Sequence, residues 1–184
     1  MIDGEDLFFT GDEHYHHAKI IAYAARPFGD VAEMDNELIK RHNLVVSPDD
    51  VVIHVGDFIM GGMREARSII ELLNGYHIFL HGSHDRWMKQ SSGEDPSGKF
   101  CEVGDMYEEW VGQRLIVCCH YAMRVWPRSH YGSWQVYGHS HGRLPPTGKQ
   151  WDVGVDNNAF APLSFDELAA IMAKQPDNAN LVRR

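Results

Sequence analysis

Residues 7–14 read Leu-Phe-Phe-Thr-Gly-Asp-Glu-His, a short apolar run that ends in a glycine, an aspartate and a histidine. The apolar part has the length and the aromatic content of a buried β-strand. The glycine allows a sharp turn where strand becomes loop. This stretch therefore predicts a strand that brings Asp12 and His14 to the end of a sheet.

The same arrangement occurs four more times along the chain, and each predicted strand is followed by Asp or His. The four are Val51–Val55 with Gly56-Asp57, His77–Leu80 with His81-Gly82-Ser83-His84-Asp85, Leu115–Cys119 with His120, and Gln135–Tyr137 with Gly138-His139-Ser140-His141. Ligands of open α/β sheets bind beyond the carboxyl ends of the strands. We therefore expect the five strand ends to surround one site.

The rest of the pattern predicts an α/β fold in which helices cover both faces of a mixed sheet. Helices are predicted over Glu33–Val45, Met63–Leu73 and Phe165–Lys174, the last with a capping box formed by Ser164 and Glu167. A further strand is expected over Trp151–Val155, and a hairpin is expected to join Tyr107–Val111 to Arg114–Cys118.

Length and composition fit one domain, which we expect over residues 1–174, with a loosely ordered tail over 175–184. Gln90–Gly98 reads as an exposed loop. No apolar run is long enough to span a bilayer, and the acidic first residues do not resemble a secretory signal. We expect a cytoplasmic protein with no membrane partner and predict no protein partner.

Charge and cysteine content exclude several classes of function. The formal charge of −9 and the lack of a basic run disfavour binding to long nucleic acid, although bound cations would still allow a small anionic substrate. The three cysteines show neither a disulfide framework nor a C-x-x-C zinc spacing.

The side chains at the strand ends are suited to holding transition metals. The chain has 12 histidines, and histidine is the commonest metal ligand. A mixture of Asp oxygen and neutral His nitrogen favours Zn, Mn, Fe or Ni over Ca or Mg. In an extended backbone the two side chains of Asp12-x-His14, and likewise those of His139-x-His141, would lie on the same side, so we expect each pair to converge on one site.

Taken in order, the five clusters resemble the motifs of the calcineurin-like metallophosphoesterase superfamily. Its pattern is D-x-H, G-D, G-N-H-[DE], H and G-H-x-H, each after a strand, and the match covers residues 10–141. Neighbouring segments look like a small bacterial and phage single-domain branch: Arg26-Pro27-Phe28, Gly56-Asp57-Phe58, Trp126-Pro127 and Asp152-Val153-Gly154-Val155-Asp156-Asn157. The resemblance implies mixed β-sheets in a sandwich flanked by helices, in a four-layer α/β architecture.

The resemblance also implies a role for each matching residue. The first metal would be held by Asp12, His14 and His141, the second by His120 and His139, and Asp57 would bridge the two. His84 would protonate the leaving oxygen or stabilise charge on the phosphoryl group, and Asp85 would orient it. The implied cofactors are two divalent transition metals, with Mn expected and Fe, Ni or Zn as alternatives.

One position departs from the superfamily pattern. The superfamily has Asn before the catalytic His, and its amide oxygen binds the second metal, whereas this chain has Ser83. A serine hydroxyl is a shorter and weaker ligand, so we expect the second site to bind its metal more weakly or to prefer a different metal.

Two further residues are candidates for binding the substrate phosphate. His17 matches a frequent superfamily position near the site, and its alternative is a surface histidine. Arg26 belongs to the branch-like segment, and its guanidinium suits phosphate, with a surface ion pair as the alternative.

The resulting hypothesis is a metal-dependent phosphoesterase, primarily a phosphodiesterase. A hydroxide bridging the two metals would attack a small phosphate ester, such as a nucleotide or a nucleic-acid end. The alternative, motivated by Ser83 alone, is a metal-binding but catalytically impaired protein that acts as a binding partner. A metallo-β-lactamase-type hydrolase is set aside because its compact H-x-H-x-D-H signature is absent from the sequence.

Overall fold

Two mixed β-sheets pack face to face in the computed structural model, which describes residues 4–88 and 97–182. The strands are β1 (Leu7–Thr10), β2 (Val51–His54), β3 (Tyr76–Leu80), β4 (Phe100–Gly104), β5 (Met106–Val111), β6 (Arg114–Cys119), β7 (Trp134–Tyr137), β8 (Gln150–Asp152) and β9 (Leu163–Ser164). The α-helices are α1 (Ala18–Tyr23), α2 (Val31–Val45), α3 (Met63–Ile70) and α4 (Phe165–Lys174).

The first sheet has the strand order β4-β3-β2-β1-β9, and the second has the order β5-β6-β7-β8. In the first sheet β1 to β4 are parallel and β9 is antiparallel. In the second sheet the hairpin β5–β6 is antiparallel, and β6, β7 and β8 are parallel. The parallel strands bring the carboxyl ends that carry the predicted ligands to one edge of each sheet.

The main core lies between the two sheets. Alternate residues of the first sheet, such as Phe9 and Ile53, pack with Ile116 and Val136 of the second sheet, and all four are fully buried. Burying one such side chain stabilises the fold by about 1.5–3 kcal/mol. Because successive strand residues face opposite sides, this core also fixes which face of β1 and β2 points toward the helices.

The other face of the first sheet is covered by α1, α2 and α3, through a second core that includes Ile20, Leu38 and Ile69. Leu168 and Met172 of α4 extend the core between the sheets. The outer face of the second sheet buries Leu115 and Val117 against Trp126 and Met123 of the loop after β6. The expected α/β class is confirmed, with two mixed sheets flanked by helices. The helices do not cover both faces of one sheet, because the inner face of the first sheet packs against the second sheet.

Most predicted elements occur with shifted ends. Helix α4 begins and ends as predicted, and the capping box is present, since the Ser164 amide donates to Glu167 Oε2 at 3.0 Å. The strand expected over Trp151–Val155 ends at Asp152, because the Asp152 carboxylate accepts the Gly154 amide at 2.8 Å and bends the chain into a 3₁₀ turn. Helix α3 ends at Ile70 rather than at Leu73.

Three of these elements were absent from the prediction, namely the six-residue helix α1, the strand β4 and the two-residue strand β9. The loop expected over Gln90–Gly98 lies outside the described residues except for its last two positions. Asn178 lies in the segment that was expected to form a loosely ordered tail. Asn178 is buried there and donates to the carbonyls of Ser129 and Ser133, at 2.9 and 3.0 Å.

Within the described residues, no helix combines the length and the apolar character needed to cross a membrane.

Candidate metal centre

The predicted ligands meet where the carboxyl ends of β1, β2, β6 and β7 come together. They form two groups, each with its ligand atoms within 4.8 Å of one another. The first group is Asp12, His14 and His141, and the second is Asp57, His120 and His139. Each group has the composition of a transition-metal site, so the two groups could hold metal ions.

Asp57 links the two groups. Its Oδ2 lies 3.6 Å from Nε2 of His14, in the first group, and 3.5 Å from Nε2 of His120, in the second. The groups also approach each other directly, because His120 Nδ1 lies 4.0 Å from Asp12 Oδ1. One carboxylate oxygen therefore faces ligand nitrogens from both groups.

Several ligand atoms are buried without a hydrogen-bond partner among the described residues. They are both carboxylate oxygens of Asp12, Nε2 of His14 and Nε2 of His120. An unpaired buried polar atom costs about 1–3 kcal/mol, and more when it is charged. A cation bound between these atoms would remove that cost, so the residues present fit a metal.

Hydrogen bonds on the far side of two histidine rings leave Nε2 available as a ligand. His120 Nδ1 lies 3.0 Å from the Val55 carbonyl, and His141 Nδ1 lies 2.7 Å from Asp156 Oδ2. Both acceptors require a proton on Nδ1, so each neutral ring has its lone pair on Nε2. Such partners are the usual support of metal-binding histidines.

The backbone at the ligands is strained and not extended, which corrects the expectation for the Asp12-x-His14 and His139-x-His141 pairs. Five of the six ligands have positive φ, between 49° and 66°: Asp12, His14, Asp57, His139 and His141. Residues other than glycine rarely adopt this region, and those that do concentrate at functional sites. Gly56 supplies the turn before Asp57 with a φ of 106°. Gly82 is needed for space, since a Cβ there would collide with the backbone and carboxylate of Asp57.

Burial and neighbouring charges shift the pKa values of the ligands. Burial raises the pKa of Asp12 well above its usual value, and the carboxylates of Asp152 and Asp57 raise it further. Burial lowers the pKa of His14 to about 3, which keeps the ring neutral. Burial also acts to raise the pKa of Asp57, but the hydrogen bond and charge of His120 outweigh it, so this pKa is lowered. Neutral rings and an ionised Asp57 are the forms that bind metals.

Asp85 does not orient His84, contrary to the expectation. Its buried carboxylate instead accepts the amides of Asp57, Phe58 and Gly82, at 2.5, 3.0 and 2.8 Å, together with the Trp87 indole at 3.0 Å. Its hydrogen-bond partners are therefore backbone amides and an indole, and not the His84 ring. Asp85 thus ties the loop after β3 to the loop that carries Asp57.

Ser83 and His84 both contact the linking carboxylate. The Ser83 hydroxyl donates to Asp57 Oδ2 at 2.9 Å, and the His84 amide donates to Asp57 Oδ1 at 2.7 Å. The His84 side chain is exposed, and its ring centroid lies 5.3 Å from that of His14. His84 is therefore open to solvent beside the first group of ligands.

Arg26 is unavailable to a substrate, which corrects the expected phosphate-binding role. The buried guanidinium forms two 2.8 Å hydrogen bonds to Asp156 and also donates to the carbonyls of Asp12 and Glu13, at 2.6 and 2.8 Å. Asp12 and Glu13 are buried, and Arg26 is a buried donor for their carbonyls. His17, by contrast, lines the open cleft at the site, with Nδ1 3.3 Å from His14 Nδ1.

Asp152 and Asp156 were not predicted as residues of the site. The Asp156 carboxylate supports both His141 and Arg26, and Asp152 accepts the amides of Gly142 and Gly154. Both lie in the segment noted for its resemblance to the small branch. They were missed because a strand was predicted through Val155, whereas the chain turns after Asp152 and brings both carboxylates to the site.

The cleft at the centre has a volume of about 340 Å³. Besides the histidines, Asp57 and Ser83, its lining includes Lys19, Ile20, Tyr23 and Arg143, none of which was singled out from the sequence. No spacing signal marks them, because they reach the cleft from the unpredicted helix α1 and from the loop after His141.

Comparison with known proteins gives relatives without an assigned activity. No model of a known protein family matches the sequence. The chain is 31% identical over 181 residues to the uncharacterized protein MJ1445 of Methanocaldococcus jannaschii, covering 91% of this chain and 92% of that protein. The crystal structure of AQ665 from Aquifex aeolicus, a protein of unknown function, aligns with a TM-score of 0.67 and 18% identity. That alignment covers 90% of this chain and 98% of the other. At this identity the structural likeness shows the fold alone.

Proposed function

This chain belongs to the same family as the uncharacterized Methanocaldococcus jannaschii protein MJ1445, and we propose that it is a metal-dependent phosphoesterase acting primarily on phosphodiesters. The observation that carries the proposal is the position of Asp57. Its Oδ2 lies within 3.6 Å of ligand nitrogens from both His/Asp groups. Two cations sharing one carboxylate are typical of enzymes that hydrolyse phosphate esters.

Two divalent metals held by these groups would activate water near neutral pH and neutralise charge on the phosphoryl oxygens. Asp12 and Asp57 bring two negative charges to a centre with four positive charges, so a net charge of +2 would remain for an anionic substrate and nucleophile. We propose Mn as the metal, with Fe, Ni or Zn as alternatives, because the ligand set mixes carboxylate and imidazole.

The protein's own groups would position the substrate and move a proton. The exposed His84 ring, which lies beside His14, would donate a proton to the leaving oxygen. The His84 amide and the Ser83 hydroxyl hold the Asp57 carboxylate from the solvent side. Asp85 fixes the Asp57 backbone through the amides of Asp57 and Phe58.

The finer architecture belongs to the same proposal. The calcineurin-like superfamily implies a four-layer sandwich with metals at the strand ends. Two mixed sheets, with helices on the outer face of the first, support this assignment.

A second candidate function is a metal-binding protein with impaired catalysis that acts as a partner. The observation that favours it is the 2.9 Å hydrogen bond from Ser83 to Asp57, because the hydroxyl is directed to the carboxylate where the superfamily has an amide oxygen for the metal.

The test is hydrolysis of bis(p-nitrophenyl) phosphate and of p-nitrophenyl phosphate by protein stripped of metal and then given Mn²⁺. We expect turnover only with metal, and faster turnover of the diester. Asp57→Asn should lower turnover by at least about a hundredfold and reduce the bound metal measured by mass spectrometry.

The matched control is Asp166→Asn, which removes the same charge from an exposed position on α4. It should retain full activity and metal content. Absence of turnover with Mn²⁺, Ni²⁺, Zn²⁺ and Fe²⁺, while two metals remain bound, would favour the impaired binding protein. Full metal retention by Asp57→Asn would contradict the linking role of Asp57.

A further inference from the structure

We propose that the substrate carries a second phosphate besides the ester that is cleaved, and that Lys19 and Arg143 bind this second phosphate while Tyr23 contacts an aromatic base. The substrate class is thus a small nucleotide with two phosphate groups. This inference rests on the proposed phosphoesterase function, because it concerns the substrate of the same cleft.

The cleft extends beyond the metal ligands. Its volume of about 340 Å³ lies at the lower end of the range for small-molecule sites, which is roughly 300–1,000 Å³. Its inner part is formed by the histidines and Asp57. Its outer part is formed by Lys19 and Tyr23 of α1 and by Arg143, which follows the ligand His141 by two residues.

The two cations of the outer part have no carboxylate partner among the described residues. Some other basic residues do have one: Arg26 pairs with Asp156, and both Lys40 and Arg41 pair with Glu37. The Arg143 Nη2 donates to the Tyr23 carbonyl at 2.5 Å. That bond fixes the guanidinium at the end of α1 and leaves its other N–H groups free to bind an anion.

This local charge is opposite to that of the whole chain, which is −9. Among the described residues that line the cleft, the only carboxylate is Asp57, which lies between the two ligand groups. A simple diester has one negative charge, which the metal centre would meet by itself. Two further cations beside it match an additional phosphate, which Arg and Lys bind through charge-assisted hydrogen bonds.

Tyr23 supplies the argument for an aromatic group. Its side chain is 63% exposed although it lines the cleft, and its carbonyl is held by Arg143. An exposed ring beside a phosphate-binding cation offers a face on which a base can stack, a contact that tolerates any base.

The experiment compares two chromogenic substrates that differ by one phosphate: thymidine 5′-(p-nitrophenyl phosphate) and the same compound with a 3′-phosphate. With Mn²⁺, we expect kcat/KM of the wild-type chain to be about tenfold or more higher for the 3′-phosphorylated compound, mainly through KM. Arg143→Gln and Lys19→Gln should each reduce this ratio, and the double variant should bring it close to one.

The matched control is Lys40→Gln, which removes one positive charge from the exposed side of α2 and should leave both the ratio and the activity unchanged. Equal kcat/KM of the wild-type chain on the two substrates would overturn the proposal. So would a ratio that persists in the double variant.

A binding measurement distinguishes failure of the second phosphate site from failure of the proposed phosphoesterase function. Calorimetry on the Mn-loaded protein should give tighter binding of thymidine 3′,5′-bisphosphate than of thymidine 5′-monophosphate, even if no substrate is turned over. That result without turnover would retain the second phosphate site and reject the enzyme, whereas equal binding of the two would reject the phosphate site.

Two further probes test the base and the size of the ligand. Tyr23→Leu should remove the advantage of thymidine 3′,5′-bisphosphate over the abasic 1,2-dideoxyribose 3,5-bisphosphate, and an unchanged advantage would refute the role of Tyr23. A thymidine dodecanucleotide should bind more weakly than the bisphosphate, because the chain is acidic. Tighter binding would overturn the assignment to a small nucleotide.

Discussion

At the scale of single residues, the carboxylate of Asp57 contacts both hydrogen-bond donors and the nitrogens of two candidate metal ligands. Ser83 and the His84 amide hold it from one side, and Nε2 of His14 and His120 face it from the other. A carboxylate with four oxygen lone-pair positions can accept the two hydrogen bonds and still face two cations. The quality of the second metal site should therefore depend on what residue 83 offers to this carboxylate and to the metal.

Replacing Ser83 by Asn is predicted to strengthen the second metal site. The amide oxygen of Asn reaches further than a hydroxyl and is a better ligand, and residue 83 is exposed, so the larger side chain has room. We expect the Mn²⁺ affinity of the weaker site and the turnover of bis(p-nitrophenyl) phosphate to rise by about 10- to 100-fold. Metal titration followed by calorimetry measures the first quantity, and a colorimetric assay the second.

Ser83→Ala is the control for this substitution, because it removes the hydrogen bond to Asp57 without adding a ligand. It should not increase either quantity. If Ser83→Asn leaves both the metal affinity and the turnover unchanged, serine is a full ligand or the position does not contact the metal, and the impaired-catalysis alternative loses its basis.

At the scale of elements, the face of β2 and β3 that meets α2 carries buried histidines. His54 Nδ1 lies 2.7 Å from Glu13 Oε1, His54 Nε2 lies 3.0 Å from His77 Nδ1, and His42 of α2 packs beside both rings. Burial lowers the pKa of His42 to about 3, helped by the charges of His54 and Lys99, and burial lowers the pKa of His77 well below its usual value.

These shifts predict a loss of stability in acid. In the unfolded chain a histidine binds a proton below about pH 6.5, whereas folded His42 stays neutral down to about pH 3. The unfolded state therefore binds more protons in this window, so the free energy of unfolding falls as pH drops from about 6.5 toward 3. From pH 7.5 to 5.0 each such histidine should contribute a loss of about 2 kcal/mol.

Urea unfolding in EDTA at pH 7.5 and 5.0 measures this effect. His42→Gln keeps a donor for the Asn74 carbonyl, which His42 Nε2 contacts at 2.9 Å, and should lose about 2 kcal/mol less stability between the two pH values. His130→Gln, on the loop that covers the second sheet, should behave as the wild type does. Equal losses in the wild type and in His42→Gln would show that His42 does not drive the acid sensitivity.

The elements that could be predicted from the sequence are those with a local pattern of residues. The alternation of short apolar runs with Gly-Asp and Gly-His ends located β1, β2, β3, β6 and β7 and grouped all six His/Asp ligands. Helix α1 has six residues, too few for a helical period to emerge, and it carries Lys19 and Tyr23 to the cleft. The partners of Arg26 and Asp85 depend on contacts 130 and 28 residues apart along the chain, which no local pattern encodes.

At the scale of the whole molecule, the candidate metal centre lies where the two sheets meet, and its strained backbone and unpaired polar atoms lower the stability of the fold. Five ligands with positive φ cost about 1–2 kcal/mol each, and the unpaired buried atoms of Asp12, His14 and His120 add to this. These costs are comparable to the total stability of a typical domain, which is about 5–15 kcal/mol. Asp12, His14 and Asp57 extend from the first sheet, and His120, His139 and His141 from the second, so a bound cation would connect the two sheets directly.

Removing metal is therefore predicted to destabilise the fold as a whole. At a free metal concentration a hundred times Kd, binding to the folded state alone adds about 2.7 kcal/mol. For a chain of this length that corresponds to a fall in Tm of roughly 5–10 °C when Mn²⁺ is replaced by EDTA. Scanning calorimetry should show this shift in the wild type and in Asp166→Asn. The shift should be smaller in Asp57→Asn, because this variant lacks the carboxylate that links the two ligand groups. A wild-type Tm that is the same in Mn²⁺ and in EDTA would mean that the strained loops are stable without metal, and that the buried ligand atoms are satisfied in some other way.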